Sequence, residues 1–239
     1  MERIDEIGFG GYRLIQNPDY FCYGVDAVLL ASSAGEKLKE GMRVCDLGTG
    51  NGIIPLIFES KCKVKISALE LQDDVADLAQ RNFKLNGLED MIELVRGNVT
   101  DYTAPEAFDL IVSNPPYFQE GANIISDGDI KRVARHEICG TLEDFMACAA
   151  RNLKDNGRFY MIHRPARIID IAQLGRKYKL EPKALRMISP SAGEVPNLMI
   201  VEFVKNGGRE LKILEPKYVY ENKKENIYSD YINEIYLRR

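Results

Sequence analysis

Between residues 42 and 204, short apolar runs take turns with longer stretches in which apolar residues recur every three or four positions. The short runs, at 44–47, 64–69, 92–95, 108–113, 158–162, 184–188 and 198–204, predict β-strands. The longer stretches, at 53–59, 73–85, 142–153 and from Pro165 to about Tyr178, predict helices. Asn86-Gly87 closes one helix, Asp155-Asn156-Gly157 predicts a turn from helix to strand, and Pro165 suits a first helical turn. Strands and helices in alternation demand an α/β fold: a parallel sheet covered by helices on both faces, with ligands at the carboxyl ends of its strands.

Flanking segments have weaker patterns. The chain up to about Gln16 is rich in glycine (Gly8, Gly10, Gly11) and has no helical period, which predicts a short strand or hairpin. Residues 21–31 read as a loop entering a helix, with Asp26 in the first turn, where a carboxylate complements the helix dipole. Residues 119–135 are polar, contain Gly121 and Gly128, and predict a mobile loop beside the site. Residues 215–239 carry Tyr and Lys but little core pattern, and read as a docking tail or a partly disordered one. The organisation expected is one domain over 1–215, including an N-terminal extension (1–40), then a C-terminal tail (216–239); a chain of 239 residues suits a single α/β core.

Composition narrows the function classes. No stretch approaches the roughly 20 apolar residues of a membrane helix, and the start lacks a basic-then-apolar leader, so a cytoplasmic protein without a membrane partner is expected. Five cysteines, an odd number with no CxxC pair, predict reduced structural thiols. Two histidines and no Cys/His cluster at ligand spacing give no indication of a metal. The net charge of −4 conceals an uneven split: residues 1–150 hold 14 Lys/Arg against 25 Asp/Glu, residues 151–239 hold 18 against 11. Such a split fits an acidic cofactor half beside a basic face that meets phosphates; a merely solvated basic surface is the alternative.

Two loops carry the candidate chemistry. The first, Asp46-Leu47-Gly48-Thr49-Gly50-Asn51-Gly52, follows a strand, and its glycines let backbone approach a ligand closely. Its GxGxG spacing departs from the GxGxxG of a dinucleotide loop. With Asp46 it resembles the S-adenosylmethionine loop of class I methyltransferases, Asp46 being the candidate partner of the cofactor's ammonium group or of a nearby water. Glu70 stands at the end of the next strand, at about the interval expected of a carboxylate that accepts from ribose hydroxyls. The second loop, Asn114-Pro115-Pro116-Tyr117, offers a side-chain oxygen and a rigidly held carbonyl as acceptors, and an aromatic ring as a stacking face. That set suits methyl transfer to a base nitrogen: two acceptors orient the amine, and Tyr117 stacks on the ring.

Several phrases together resemble the bacterial tRNA1(Val) (adenine-37-N6)-methyltransferase family over about residues 5–215. They are Tyr23-Gly24-Val25-Asp26-Ala27-Val28-Leu29-Leu30, the glycine loop, Asn114 to Tyr117, and Ala134-Arg135-His136-Glu137 followed by Leu142-Glu143-Asp144-Phe145. Arg158-Phe159-Tyr160, His163-Arg164-Pro165 and Gly207-Gly208 match as well. The resemblance implies a class I Rossmann-like methyltransferase fold, with a mostly parallel seven-stranded sheet whose last strand is antiparallel. It implies S-adenosylmethionine as donor and the exocyclic N6 of an adenosine beside a tRNA anticodon as target. Asp26, Asp46, Gly48, Gly50 and Glu70 fall on the cofactor side, and Asn98, where the family usually has Asp, at the adenine-amino position. His163 reads as a structural residue at a strand end. Arg132, Arg135 and His136 are candidates for the RNA approach, with a local Arg135–Glu137 ion pair as the alternative. A structured RNA loop is an easier target than paired DNA, because turning out a stacked base costs a few kcal/mol. The same loop chemistry serves enzymes acting on a protein glutamine amide (N5) or on rRNA guanine N2; a binding module that keeps the donor pocket without turnover is the non-enzymatic alternative.

Overall fold

A computed structural model describes residues 2–18, 22–117 and 140–236. The elements begin with a hairpin, β1 (Arg3–Glu6) and β2 (Arg13–Gln16), and helix α1 (Val25–Gly35). Then β3 (Arg43–Leu47), α2 (Ile53–Lys61), β4 (Lys65–Glu70), α3 (Asp73–Leu85), β5 (Ile92–Arg96) and β6 (Phe108–Ser113) alternate as the apolar pattern predicts. Beyond residue 139 come α4 (Leu142–Asn152), β7 (Leu153–His163), a 3-10 turn (Pro165–Arg167), α5 (Ile168–Lys177), β8 (Leu180–Ser189) and β9 (Leu198–Lys205).

The main sheet has the order β5-β4-β3-β6-β7-β9-β8, all parallel except β9, which runs antiparallel to both neighbours. Two-residue strands β10 (Lys212–Ile213) and β11 (Lys217–Tyr218) pair in parallel with β8 and widen the expected seven strands to nine among the described residues. Side chains alternate across the sheet: Val44, Leu110, Val112, Tyr160 and Ile162 join α1 and α2 in one core cluster, while Cys45, Ile111, Phe159 and Met161 join α4 in the other. Both faces are therefore dry, as a parallel sheet requires.

Three boundaries differ from the sequence reading by three residues or more. The turn expected at 155–157 lies within β7: Asn156 takes φ 62° and the register with β6 slips between Phe108 and Leu110, so the turn residues form an irregularity in a longer strand. The helix expected from Pro165 opens as the 3-10 turn and is α-helical only from Ile168. Strand β8 starts at Leu180 instead of 184, because Pro182, which reads as a strand breaker, is accommodated where the register with β9 shifts.

The N-terminal hairpin is held by helix α3 and not by the main sheet. Asn82 and Asn86, one turn apart, each accept a backbone N–H and donate to the carbonyl of the same residue, Ile15 and Arg13 respectively, as a neighbouring strand would. Asn82 also donates to the carbonyl of Asn51, linking this hairpin to the glycine loop. At the other end, β12 (Tyr220–Asn222), β13 (Ile227–Tyr228) and α6 (Asp230–Ile235) follow, and Val219, Ile232 and Ile235 are buried in the α1–α2 cluster. Residues 119–135, Arg132, Arg135, His136, Glu137 and Cys139 lie outside the described residues. Cys22, Cys45, Cys62 and Cys148 are free thiols.

Candidate active site

Leu47, the last residue of β3, pairs with Leu69 of β4 on one side and Ser113 of β6 on the other. Chain leaving β3 therefore emerges between the loops that follow those two strands. The N–H groups of Gly48 and Thr49 both donate to the Leu69 carbonyl at 2.9 Å, turning the backbone sharply over the strand ends. Gly52, at φ 86°, begins α2, and a Cβ there would lie 2.5 Å from the Phe83 ring. Gly50, at φ 60°, has nothing within 4 Å on its Cβ side and leaves that space open.

The carboxylates expected on the cofactor side occupy this loop. Glu70 is buried; its Oε2 accepts from the Gly50 N–H at 2.9 Å and its Oε1 from the Leu71 and Gln72 N–H groups at 3.0 Å. It thus shapes the glycine loop directly, and a carboxylate, with about four acceptor positions, keeps capacity for a ligand hydroxyl. Burial pushes the Glu70 carboxyl upward even though those N–H groups pull it down. Asp46 is fully buried, and its Oδ2 accepts from the Thr49 hydroxyl at 2.7 Å. Its Oδ1 is buried with no partner, and burial pushes this carboxyl up to about 7. Asn51 Nδ2 is likewise buried and unpaired. An orphaned acceptor and an orphaned donor in one loop are the complement of an amino acid's ammonium and carboxylate groups, so these residues fit the amino-acid end of S-adenosylmethionine. Asn98 lies just past β5, where its Oδ1 accepts from the Thr100 N–H at 3.1 Å, leaving one lone pair of that oxygen for an adenine amino group.

On the other side of β3, the Ser113 hydroxyl donates to the Leu47 carbonyl at 2.8 Å and ties the end of β6 to the start of the glycine loop. Asn114-Pro115-Pro116-Tyr117 leaves the sheet from that point. Asn114 Nδ2 donates to Asp26 Oδ2 at 3.0 Å, and the Tyr117 hydroxyl lies 2.7 Å from Asn114 Oδ1 and 3.2 Å from Asp26 Oδ2. Burial and the Asp26 carboxylate raise the Tyr117 phenol well above its ordinary value, so it stays protonated and remains a donor. His163, at the end of β7, meets the Tyr117 ring edge-on at 5.1 Å between centroids, and the Arg164 guanidinium lies 5.8 Å from the ring centre. His163 Nδ1 accepts from the Arg164 N–H at 2.8 Å, and burial lowers its imidazole to about 4, leaving it neutral at pH 7.

Two groups result. Asp46, Gly48, Gly50 and Glu70 assemble around the glycine loop, with Asn98 at its β5 edge. Asp26, which the resemblance puts on the cofactor side, is hydrogen-bonded to Asn114 and Tyr117. Sequence reading missed Thr49 and Asn51; the orphaned amide of Asn51 was hidden inside a phrase read for its glycines. Among the described residues no group of three His, Cys, Asp or Glu could hold a metal, and no helix is long and apolar enough to cross a membrane.

A sheet of this order is the fold of class I methyltransferases, and the residues of the loop after β3 fit their donor, S-adenosylmethionine. Solved structures with this fold include a predicted O-methyltransferase of Agrobacterium tumefaciens (TM-score 0.68, 20% identity, 90% of this chain and 96% of that one). Another is the ribosomal protein L11 methylase of Lactobacillus delbrueckii subsp. bulgaricus (TM-score 0.59, 18% identity, 80% and 84%). Residues 12–170 match the family model of the methyltransferase small domain. The tRNA1(Val) (adenine(37)-N6)-methyltransferase of Bacteroides thetaiotaomicron is 31% identical over 187 residues, 77% of this chain and 76% of that one. Its counterpart in Phocaeicola vulgatus is 28% identical over 180 residues, 75% of each. The chain belongs to the methyltransferase small domain family and, within it, to the tRNA1(Val) (adenine(37)-N6)-methyltransferase family.

Proposed function

We propose that this protein methylates the exocyclic N6 of an adenosine in tRNA, at position 37 beside the anticodon, and works in the cytoplasm, where the tRNA is. The observation that carries this reading is the placement of Asn114 after β6, next to the strand whose glycine loop holds a buried carboxylate with one oxygen unpaired. The names of the relatives supply the base and the RNA.

S-adenosylmethionine, when bound, supplies a methyl group on a sulfonium that is already electrophilic. The protein's task is alignment. Adenine's amino nitrogen is a weak nucleophile because its lone pair is delocalised into the ring. Asn114 Oδ1 and the Pro115 carbonyl accept its two N–H bonds and favour the pyramidal nitrogen of the transition state. Tyr117 offers a face for the base, while Asp46, Asn51 and Glu70 hold the donor from the neighbouring strand ends of β3 and β4. Since two acceptors already polarise the amine, a strong base is unnecessary before transfer, and the surplus proton leaves afterwards.

The test is incubation with methyl-labelled donor and, separately, unmodified tRNA, unmodified rRNA and peptide-chain release factors. Label is expected in tRNA, at adenosine. Label confined to a protein glutamine, or recovered as N2-methylguanosine from rRNA, contradicts the reading.

A further inference from the structure

An asparagine amide is almost symmetric in shape but not in chemistry. Only its oxygen can accept from a target amine; turned over, Asn114 would present N–H to N–H. Asp26 decides the matter. Its carboxylate can only accept, and its Oδ2 lies 3.0 Å from Asn114 Nδ2, so the nitrogen end is held and the oxygen end is kept free of it.

That carboxylate is itself held in place. Asp26 lies in the first turn of α1, whose N-cap Gly24 provides no side-chain cap, and Asp26 Oδ1 accepts from the Ala27 N–H at 2.9 Å. A Cβ on Gly24 would come within 2.7 Å of Asp26 Oδ1. Glycine at 24 therefore permits the conformation in which the second oxygen reaches Asn114.

The Tyr117 hydroxyl has one proton and two acceptors. It lies 2.7 Å from Asn114 Oδ1 and 3.2 Å from Asp26 Oδ2. In the described arrangement it occupies the oxygen that the target amine requires. That oxygen has two lone pairs, and an amine whose N–H is directed at the one the hydroxyl holds displaces it; a buried hydroxyl stripped of its partner is costly. Asp26 removes that cost, because the same O–H can rotate onto Oδ2.

We propose that Asp26 is a positioning residue of the target side: it orients the Asn114 amide and receives the Tyr117 hydroxyl when the target amine takes Asn114 Oδ1. This rests on the reading of Asn114 as the acceptor for that amine, and it moves Asp26 out of the cofactor set implied by the family resemblance.

Full-length Asp26→Ala and Asp26→Asn proteins test it. Expected for Asp26→Ala is a donor Kd by calorimetry within twofold of wild type, and kcat on tRNA lower by about 100-fold with KM changed less than threefold. Asp26→Asn, which keeps one acceptor, is expected to lose about tenfold and to serve if the alanine variant is unfolded. Asp26→Ala combined with Asn114→Ala is expected to be no slower than Asn114→Ala alone, since Asp26 acts through Asn114. The Asn114 side-chain NH2 resonances, assigned by their loss in Asn114→Ala, are expected to shift in Asp26→Ala; this readout needs no RNA and survives failure of the tRNA assignment. Overturning results are a donor Kd raised tenfold or more, kcat within twofold of wild type, multiplicative losses in the double variant, or unmoved resonances.

Discussion

Asn114→Ala is expected to lower single-turnover methyl transfer to tRNA by about 10³-fold, the order seen when a transition-state hydrogen-bonding group is removed from an active site. Donor affinity is expected to stay within twofold, because Asn114 sits after β6 and takes no part in the glycine loop built by Asp46, Glu70 and the Leu69 carbonyl. The size of the loss follows from the weakness of the nucleophile. Alanine removes the Oδ1 acceptor and also frees Tyr117 and Asp26, which are joined through this amide. Rapid-quench kinetics with labelled donor, paired with calorimetry, separate the two effects. Transfer equal to wild type would remove Asn114 from the mechanism.

Asp46→Asn is expected to weaken donor binding by about 100-fold or more while making the donor-free protein more stable above pH 7. The two effects have one cause: a buried carboxylate with one oxygen unpaired. Burial raises this carboxyl from 3.8 to about 7 in the folded chain. A raised acid pKa favours the folded state when protonated. That stabilisation is complete below about pH 4 and is lost as pH rises through about 7, at about 1.4 kcal/mol for each pH unit between those limits. Asparagine removes this loss. A donor ammonium offsets it differently, by pairing with the ionised group, so donor affinity in the wild type should fall up to tenfold for each pH unit below about 7. Glu70, shifted in the same direction, adds to the trend. Thermal unfolding and calorimetry between pH 5 and 8 check both; a pH-independent donor Kd, or an Asp46→Asn variant that binds donor normally, would show that Asp46 does not face the ammonium group.

The main sheet was legible in the sequence because its strands are buried on both faces and stand out as continuous apolar runs. Elements lacking that signal were missed. Strands β10 and β11 have two residues each, too few for a periodicity, and the first half of β8 is masked by Pro182. The two site loops were legible because their residue types are rare in combination and each follows a strand. Asp26 was visible as a first-turn carboxylate and, through the family resemblance, as a residue of the cofactor side. Its link to Asn114 spans 88 residues and depends on how α1 lies across the strand ends, which no local pattern encodes. For Glu70 the spacing indicated a ligand contact, whereas the backbone N–H groups around it show that it also builds the donor loop.

The most direct measurement is mass spectrometry of nucleosides, with position mapping, from tRNA of cells that have or lack this protein. N6-methyladenosine at the anticodon-adjacent position is expected to disappear without the protein and to return when purified protein and S-adenosylmethionine are added to that tRNA. Unchanged N6-methyladenosine at that position in tRNA from cells that lack the protein would contradict that expectation.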